Sequence, residues 1–95
     1  MKAVQILKEK SVIGDLIIEM TIWQVPWPIQ ASVHEYKYRL YCGRAGQCLM
    51  RYDNERGKGD HVHYASGEMP YRFVSLSQLI ADFEADVKRL TGGGS

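Results

Sequence analysis

The chain has 95 residues, 45% hydrophobic and 24% charged, and a net charge of +1. This length supports one hydrophobic core and no second domain, and the composition excludes a chain disordered throughout. Apolar runs such as Leu16-Ile17-Ile18 fall far short of the ~20 residues that span a bilayer, and no leader-like opening is present, so a cytoplasmic protein without membrane contact is expected.

Val4 to Lys10 and Leu16 to Val25 are rich in β-branched and apolar residues on either side of Gly14-Asp15, which predicts strand, turn, strand. In the second strand Ile18, Met20 and Ile22 alternate with Glu19, Thr21 and Trp23, the period of a sheet with one buried face. Pro26-Trp27-Pro28 ends it, because proline donates nothing to a ladder, and a loop follows to about His34. Tyr36, Tyr38, Leu40 and Cys42 then alternate with Lys37, Arg39 and Tyr41 in a third strand, Gly43 to Gly46 turns the chain, and Cys48, Met50 and Tyr52 give a fourth inward face. Cys42 and Cys48 are too few for a disulfide framework or a finger-type zinc site, and they are expected to be reduced.

Between Asp53 and Pro70 the hydrophobic period disappears and Gly57, Gly59, Gly67 and Pro70 punctuate the chain. A long loop is expected there, with at most a short strand at His61 to Tyr64. Ser75 and Gln78 fit a capping box, and Leu76, Leu79, Ile80, Phe83, Val87 and Leu90 recur at helical spacing, with Asp82, Glu84, Asp86, Lys88 and Arg89 on a solvated face. The fold class is therefore α+β: an antiparallel four- to five-stranded meander sheet with a C-terminal amphipathic helix packed on one face. It is expected to occupy residues 1–90, with 91–95 as a flexible tail.

Charge is unevenly placed. Residues 36 to 58 hold six basic groups (Lys37, Arg39, Arg44, Arg51, Arg56, Lys58) against Asp53 and Glu55, so a positive region lies inside a nearly neutral molecule. Arg51 to Tyr64, RYDNERGKGDHVHY, gathers most of the chemistry. Gly57-Lys58-Gly59 presents a lysine and free amides to an anion but lacks the spacing of a nucleotide-binding loop. In extended chain His61 and His63 share a face, and imidazoles exchange protons near neutral pH. RNA transesterification needs a base for the 2′-hydroxyl, an acid for the departing 5′ oxygen and a cation for the phosphorane. His61 and His63 suit the proton steps, with Asp60 orienting a histidine and Lys58, Arg56 and Arg51 binding phosphate. No metal or other cofactor is required by that scheme. Asp60, Glu55 or Tyr64 is available as a second proton group, with Tyr64 also counted among the substrate contacts. The alternative chemistry is a metal centre, with His61 and His63 joined by Asp60, Asp53 or Glu55 around zinc or manganese. Lys37, Arg39 and Tyr41 share a strand face suited to stacking a base and holding phosphates. A non-enzymatic module that inhibits by occupying RNA or protein is the further alternative.

Tyr52-Asp53-Asn54-Glu55-Arg56-Gly57-Lys58-Gly59-Asp60-His61, then His63-Tyr64, then Pro70-Tyr71-Arg72-Phe73 before the helix, resembles the TumE-type toxins of bacterial and archaeal toxin-antitoxin modules. The likeness runs from Met1 to Leu90. It implies a growth-inhibiting toxin of a type II module, neutralised by an antitoxin protein carrying a helix-turn-helix DNA-binding domain, with translation or RNA as target. The nuclease (hydrolase) assignment rests on the residue chemistry, not on the resemblance. An exposed edge strand offers a route to a homodimer or to capture of an antitoxin segment.

Overall fold

The structure, a computed structural model, describes residues 3–92. Six antiparallel strands run in chain order across one sheet: β1 (Val4–Ile13), β2 (Leu16–Gln24), β3 (Tyr36–Arg44), β4 (Gln47–Glu55), β5 (Gly59–Tyr64) and β6 (Gly67–Pro70). One helix, α1 (Leu76–Thr91), follows. The architecture is the expected meander and helix, but with six strands in place of four to five.

The additional strands come from the segment expected to be a loop. β4 continues through Asp53 and Asn54 to Glu55, a hairpin through Arg56-Gly57-Lys58 returns it as β5, and Ala65-Ser66 connects β5 to β6. Gly57 and Gly59 hold φ values of 85° and 75° in and beside that hairpin, so these glycines shape a turn and do not mark a structureless stretch. A Cβ on Gly59 would stand 2.7 Å from the Ala31 carbonyl oxygen; the loop joining β2 to β3 crosses close to its backbone.

The predicted alternation holds along β2 and β3. Ile22, Tyr38, Leu40, Cys42, Met50, Tyr52 and Val62 form the buried face, closed by Leu79 and Phe83 of α1. Two expectations shift. The β3–β4 turn is Ala45-Gly46, both at positive φ, the backbone that a two-residue hairpin requires. A bulge between Cys42 and Gly43 then removes Cys48 from the core, leaving it exposed while Cys42 stays buried, both as free thiols. An extra residue in one strand reverses the facing of what lies beyond it.

Ser75 caps α1, its hydroxyl accepting from the Gln78 amide at 3.1 Å. Thr91 belongs to the helix and Gly92 ends it at φ 68°, so the expected tail is shorter at its start; Gly93 to Ser95 lie outside the described residues. No helix among the described residues is long and apolar enough to cross a membrane.

Two residues assigned to the solvated helix face are tethered, Asp86 to the sheet and Asp82 to the segment just after β6. Tyr71 donates to Asp82 at 2.6 Å, and the hydroxyls of Tyr52, at 2.6 Å, and Tyr64 both donate to Asp86. Burial raises the Asp86 carboxyl, but hydrogen bonds from Tyr52, Tyr64 and Arg89 outweigh it and hold the group below its ordinary value of 3.8. A depressed folded value means stability that is fully present above the unfolded value and is lost as pH falls through the folded one. Denaturant melts should therefore show Asp86→Asn less stable than the parent chain at pH 7, with the gap closing well below pH 3.8. A gap that stays constant down to strong acid would remove Asp86 as an electrostatic tether.

Candidate functional site

Strand register decides which side chains meet. His61 pairs with Asp53 and His63 with Arg51 across β4–β5, and His63 pairs with Glu68 across β5–β6. Arg39 and Tyr41 lie opposite Asp53 and Arg51 in turn. All seven occupy the face of the sheet away from α1, because Leu40, Tyr52 and Val62 between them point into the core.

The centre of this face is nearly buried. His61 is 2% exposed and Asp53 5%. His61 Nδ1 faces the Gly59 carbonyl oxygen at 3.0 Å, while Nε2 lies 2.6 Å from Asp53 Oδ1. The other Asp53 oxygen accepts from Arg51 Nε at 2.8 Å. The His63 ring stands edge-on to His61 with centroids 4.7 Å apart, and its Nδ1 faces Glu68 Oε2 at 3.4 Å. Lys58 Nζ lies 3.9 Å from Glu55 and 4.0 Å from Glu68. Asp53 Oδ1, His61 Nε2 and His63 Nε2 are buried atoms that take part in no hydrogen bond. For the first two, the 2.6 Å approach is not an aligned hydrogen bond. Asp53, Glu55, His61 and His63 each offer a ligand atom within 4.8 Å of the others.

Of the residues singled out in the sequence, His61, His63, Lys58 and Arg51 converge here. Lys37, Arg39 and Tyr41 share the face; the Arg39 guanidinium lies 5.1 Å over the Tyr41 ring, and Lys37 Nζ donates to the Asn54 carbonyl at 2.5 Å. Arg56 turns towards the β2–β3 loop, its Nε 3.4 Å from Gln30 Oε1. Asp60 and Tyr64 do not join the cluster. Even-numbered positions of β5 face the helix side, so Tyr64 reaches Asp86. Asp60 accepts from Ser32 Oγ at 2.8 Å, Tyr38 OH at 2.7 Å and His34 Nε2 at 2.6 Å. It does orient a histidine, but that histidine is His34. The Tyr36 amide donates to His34 Nδ1, leaving the ring hydrogen on Nε2 for Asp60. Burial and the Asp60 carboxylate push the Tyr38 hydroxyl well above its ordinary range, which keeps it a donor.

In the sequence Asp53 enters only as a metal ligand and Glu55 as a second proton group or a metal ligand, while Glu68 goes unnoticed. The available signal was parity: once β4 is carried past Tyr52 into a three-residue hairpin, Asp53 must face His61.

A protein-family model described as Toxin TumE matches residues 3–91. The chain belongs to the TumE toxin family. Membership carries a toxin role and, in general, an antitoxin partner. No curated protein and no solved structure matches the chain significantly. The family match covers β4, the histidine-bearing β5, β6 and the helix, so the cluster is part of the toxin fold and not of an appended segment.

Proposed function

We propose that this toxin acts in the cytoplasm as an endoribonuclease, with the sheet face away from α1 as its active site. The observation that carries this reading is the convergence of His61, His63, Asp53 and Glu68 beside Arg51 and Lys58 on that face. In transesterification the 2′ oxygen bonds to phosphorus as the bond to the 5′ oxygen breaks. One proton leaves the 2′-hydroxyl, another reaches the 5′ oxygen, and the products are a 2′,3′-cyclic phosphate and a 5′-hydroxyl. His63 and Glu68, partly exposed, are the accessible proton-carrying groups, whereas His61 and Asp53 are buried and hold the arrangement. Lys58, on the hairpin tip and more than half exposed, is placed to take a phosphate, and Arg39 with Tyr41 extends the surface for a single strand. The antitoxin partner, by resemblance, carries a helix-turn-helix DNA-binding domain.

Purified protein incubated with single-stranded RNA should cut it internally. Lys58→Ala should weaken RNA binding several-fold across sequences and reduce the slope of log affinity against log salt by about one, measured by fluorescence anisotropy. Growth inhibition on expression with RNA left intact, with divalent cations supplied or withheld, would replace the ribonuclease by inhibition through occupancy. In that case charge reversal at Lys37 and Arg39 should abolish toxicity.

A further inference from the structure

We propose that Asp53, His61 and His63, with Glu55 at the margin, form a binding site for one divalent transition-metal ion of the zinc–manganese class. The inference rests on the reading of this cluster as the functional centre and supplies the cofactor that the reading leaves open.

Three observations carry it. First, both histidines have Nδ1 against an acceptor: the Gly59 carbonyl for His61 at 3.0 Å and the Glu68 carboxylate for His63 at 3.4 Å. A neutral ring whose hydrogen sits on Nδ1 has its lone pair on Nε2, and anchoring by a backbone carbonyl or a carboxylate is how metal-ligating histidines are held. Second, those two Nε2 atoms and Asp53 Oδ1 are buried and take part in no hydrogen bond, although the side chains of His61 and Asp53 are only 3% and 7% exposed. Buried lone pairs left without a donor are costly, and two of them 2.6 Å apart repel unless a cation lies beside them. Third, charge favours a cation. Asp53, Glu55 and Glu68 place three carboxylates here against Arg51 and Lys58, and Arg51 occupies only the Asp53 oxygen that faces away from His61.

The donor set selects the ion. Two imidazoles with carboxylates suit zinc or manganese; magnesium and calcium take oxygen ligands, and no thiol is near, since Cys42 is in the core and Cys48 at the far end of β4. Tetrahedral coordination at about 2.0–2.2 Å sets neighbouring ligand atoms about 3.3–3.6 Å apart, so the His61–Asp53 contact, at 2.6 Å, opens by about 1 Å or less. The ion would sit beside Lys58 and Arg51, where it can polarise a phosphoryl oxygen or a water, with Glu68 as the remaining accessible proton carrier.

The test is calorimetric titration of the EDTA-treated, full-length protein with Zn2+ and with Mn2+, supported by the visible spectrum of the Co2+ form. One equivalent should bind, and the cobalt spectrum should lack thiolate charge transfer. Asp53→Asn and His63→Gln, both of ordinary thermal stability, should each weaken binding by about 10- to 100-fold, as loss of an outer partner alone already does; Cys48→Ser should leave it unchanged. Absence of binding, binding unaltered in both variants, or binding lost in Cys48→Ser would overturn the site. Metal bound with RNA uncut leaves the site standing and removes the ribonuclease reading, whereas RNA cut by a protein that binds neither ion does the reverse.

Discussion

Asp60→Ala should lower stability by about 3–5 kcal/mol, the range for removing one partner from a buried charged network. The carboxylate is the common acceptor for Ser32 Oγ, Tyr38 OH and His34 Nε2, and the Asp60 and His34 side chains are each only 9% exposed. Alanine leaves three donors in a space that water reaches poorly, each costing on the order of 1–3 kcal/mol if it finds no substitute. His34 also stacks on Phe73 with centroids 3.7 Å apart, so loss of its anchor loosens the contact between the β2–β3 loop and the segment leading into α1. Since ~1 kcal/mol moves the melting point of a chain this size by roughly 4–8 °C, the variant should melt more than about 10 °C lower. An Asp60→Ala protein that melts like the parent yet no longer cuts RNA would restore Asp60 to the active site and sink the structural account.

The same residue shows what the sequence could and could not reveal. β2 to β4 and the helix announce themselves through apolar residues at period two and period 3.6, because their buried faces are made of Ile, Leu, Tyr, Met and Phe, whereas β1 is almost wholly exposed and is legible from its β-branched residues and the Gly14 turn. From Asp53 to His61 burial is largely polar. Asn54 is 0% exposed, with Oδ1 accepting from the Tyr38 amide and Nδ2 donating to the Tyr36 carbonyl, and His61 and Asp53 are buried on the opposite face. A strand that buries polar groups on both faces carries no hydrophobic alternation, so β5 reads as loop, and β6, exposed throughout, carries none either. The histidines were legible as a same-face pair; their carboxylate was not. Asp60 is the acidic neighbour in sequence, but in a strand adjacent residues face opposite ways, and the partner comes from the facing position on β4. Asp82 and Asp86 fail for a related reason: helix charge on a predicted solvated face says nothing of tyrosine hydroxyls that reach it from the sheet and from the segment after β6.

Asp53→Asn should reduce RNA cleavage by about 100-fold or more while leaving the fold intact, which makes it the sharpest probe of the cluster. Asparagine has nearly the same shape, and its hydrogen bonds close: the amide oxygen can accept from Arg51 Nε in place of Oδ2. The amide nitrogen can donate to His61 Nε2, whose ring hydrogen faces the Gly59 carbonyl from Nδ1. Packing and polar satisfaction therefore survive, and the melting point should stay within a few degrees of the parent. What disappears is the negative charge that draws a cation to the two histidines, whether that cation is a metal ion or a proton shared with the imidazole. Removing His61 instead would open a cavity in a side chain that is 2% exposed and confuse folding with chemistry. Growth inhibition on induction, RNA integrity and thermal melts of the same variant together separate the outcomes. A stable Asp53→Asn protein that cuts RNA and arrests growth as the parent does would move the active site off this face of the sheet.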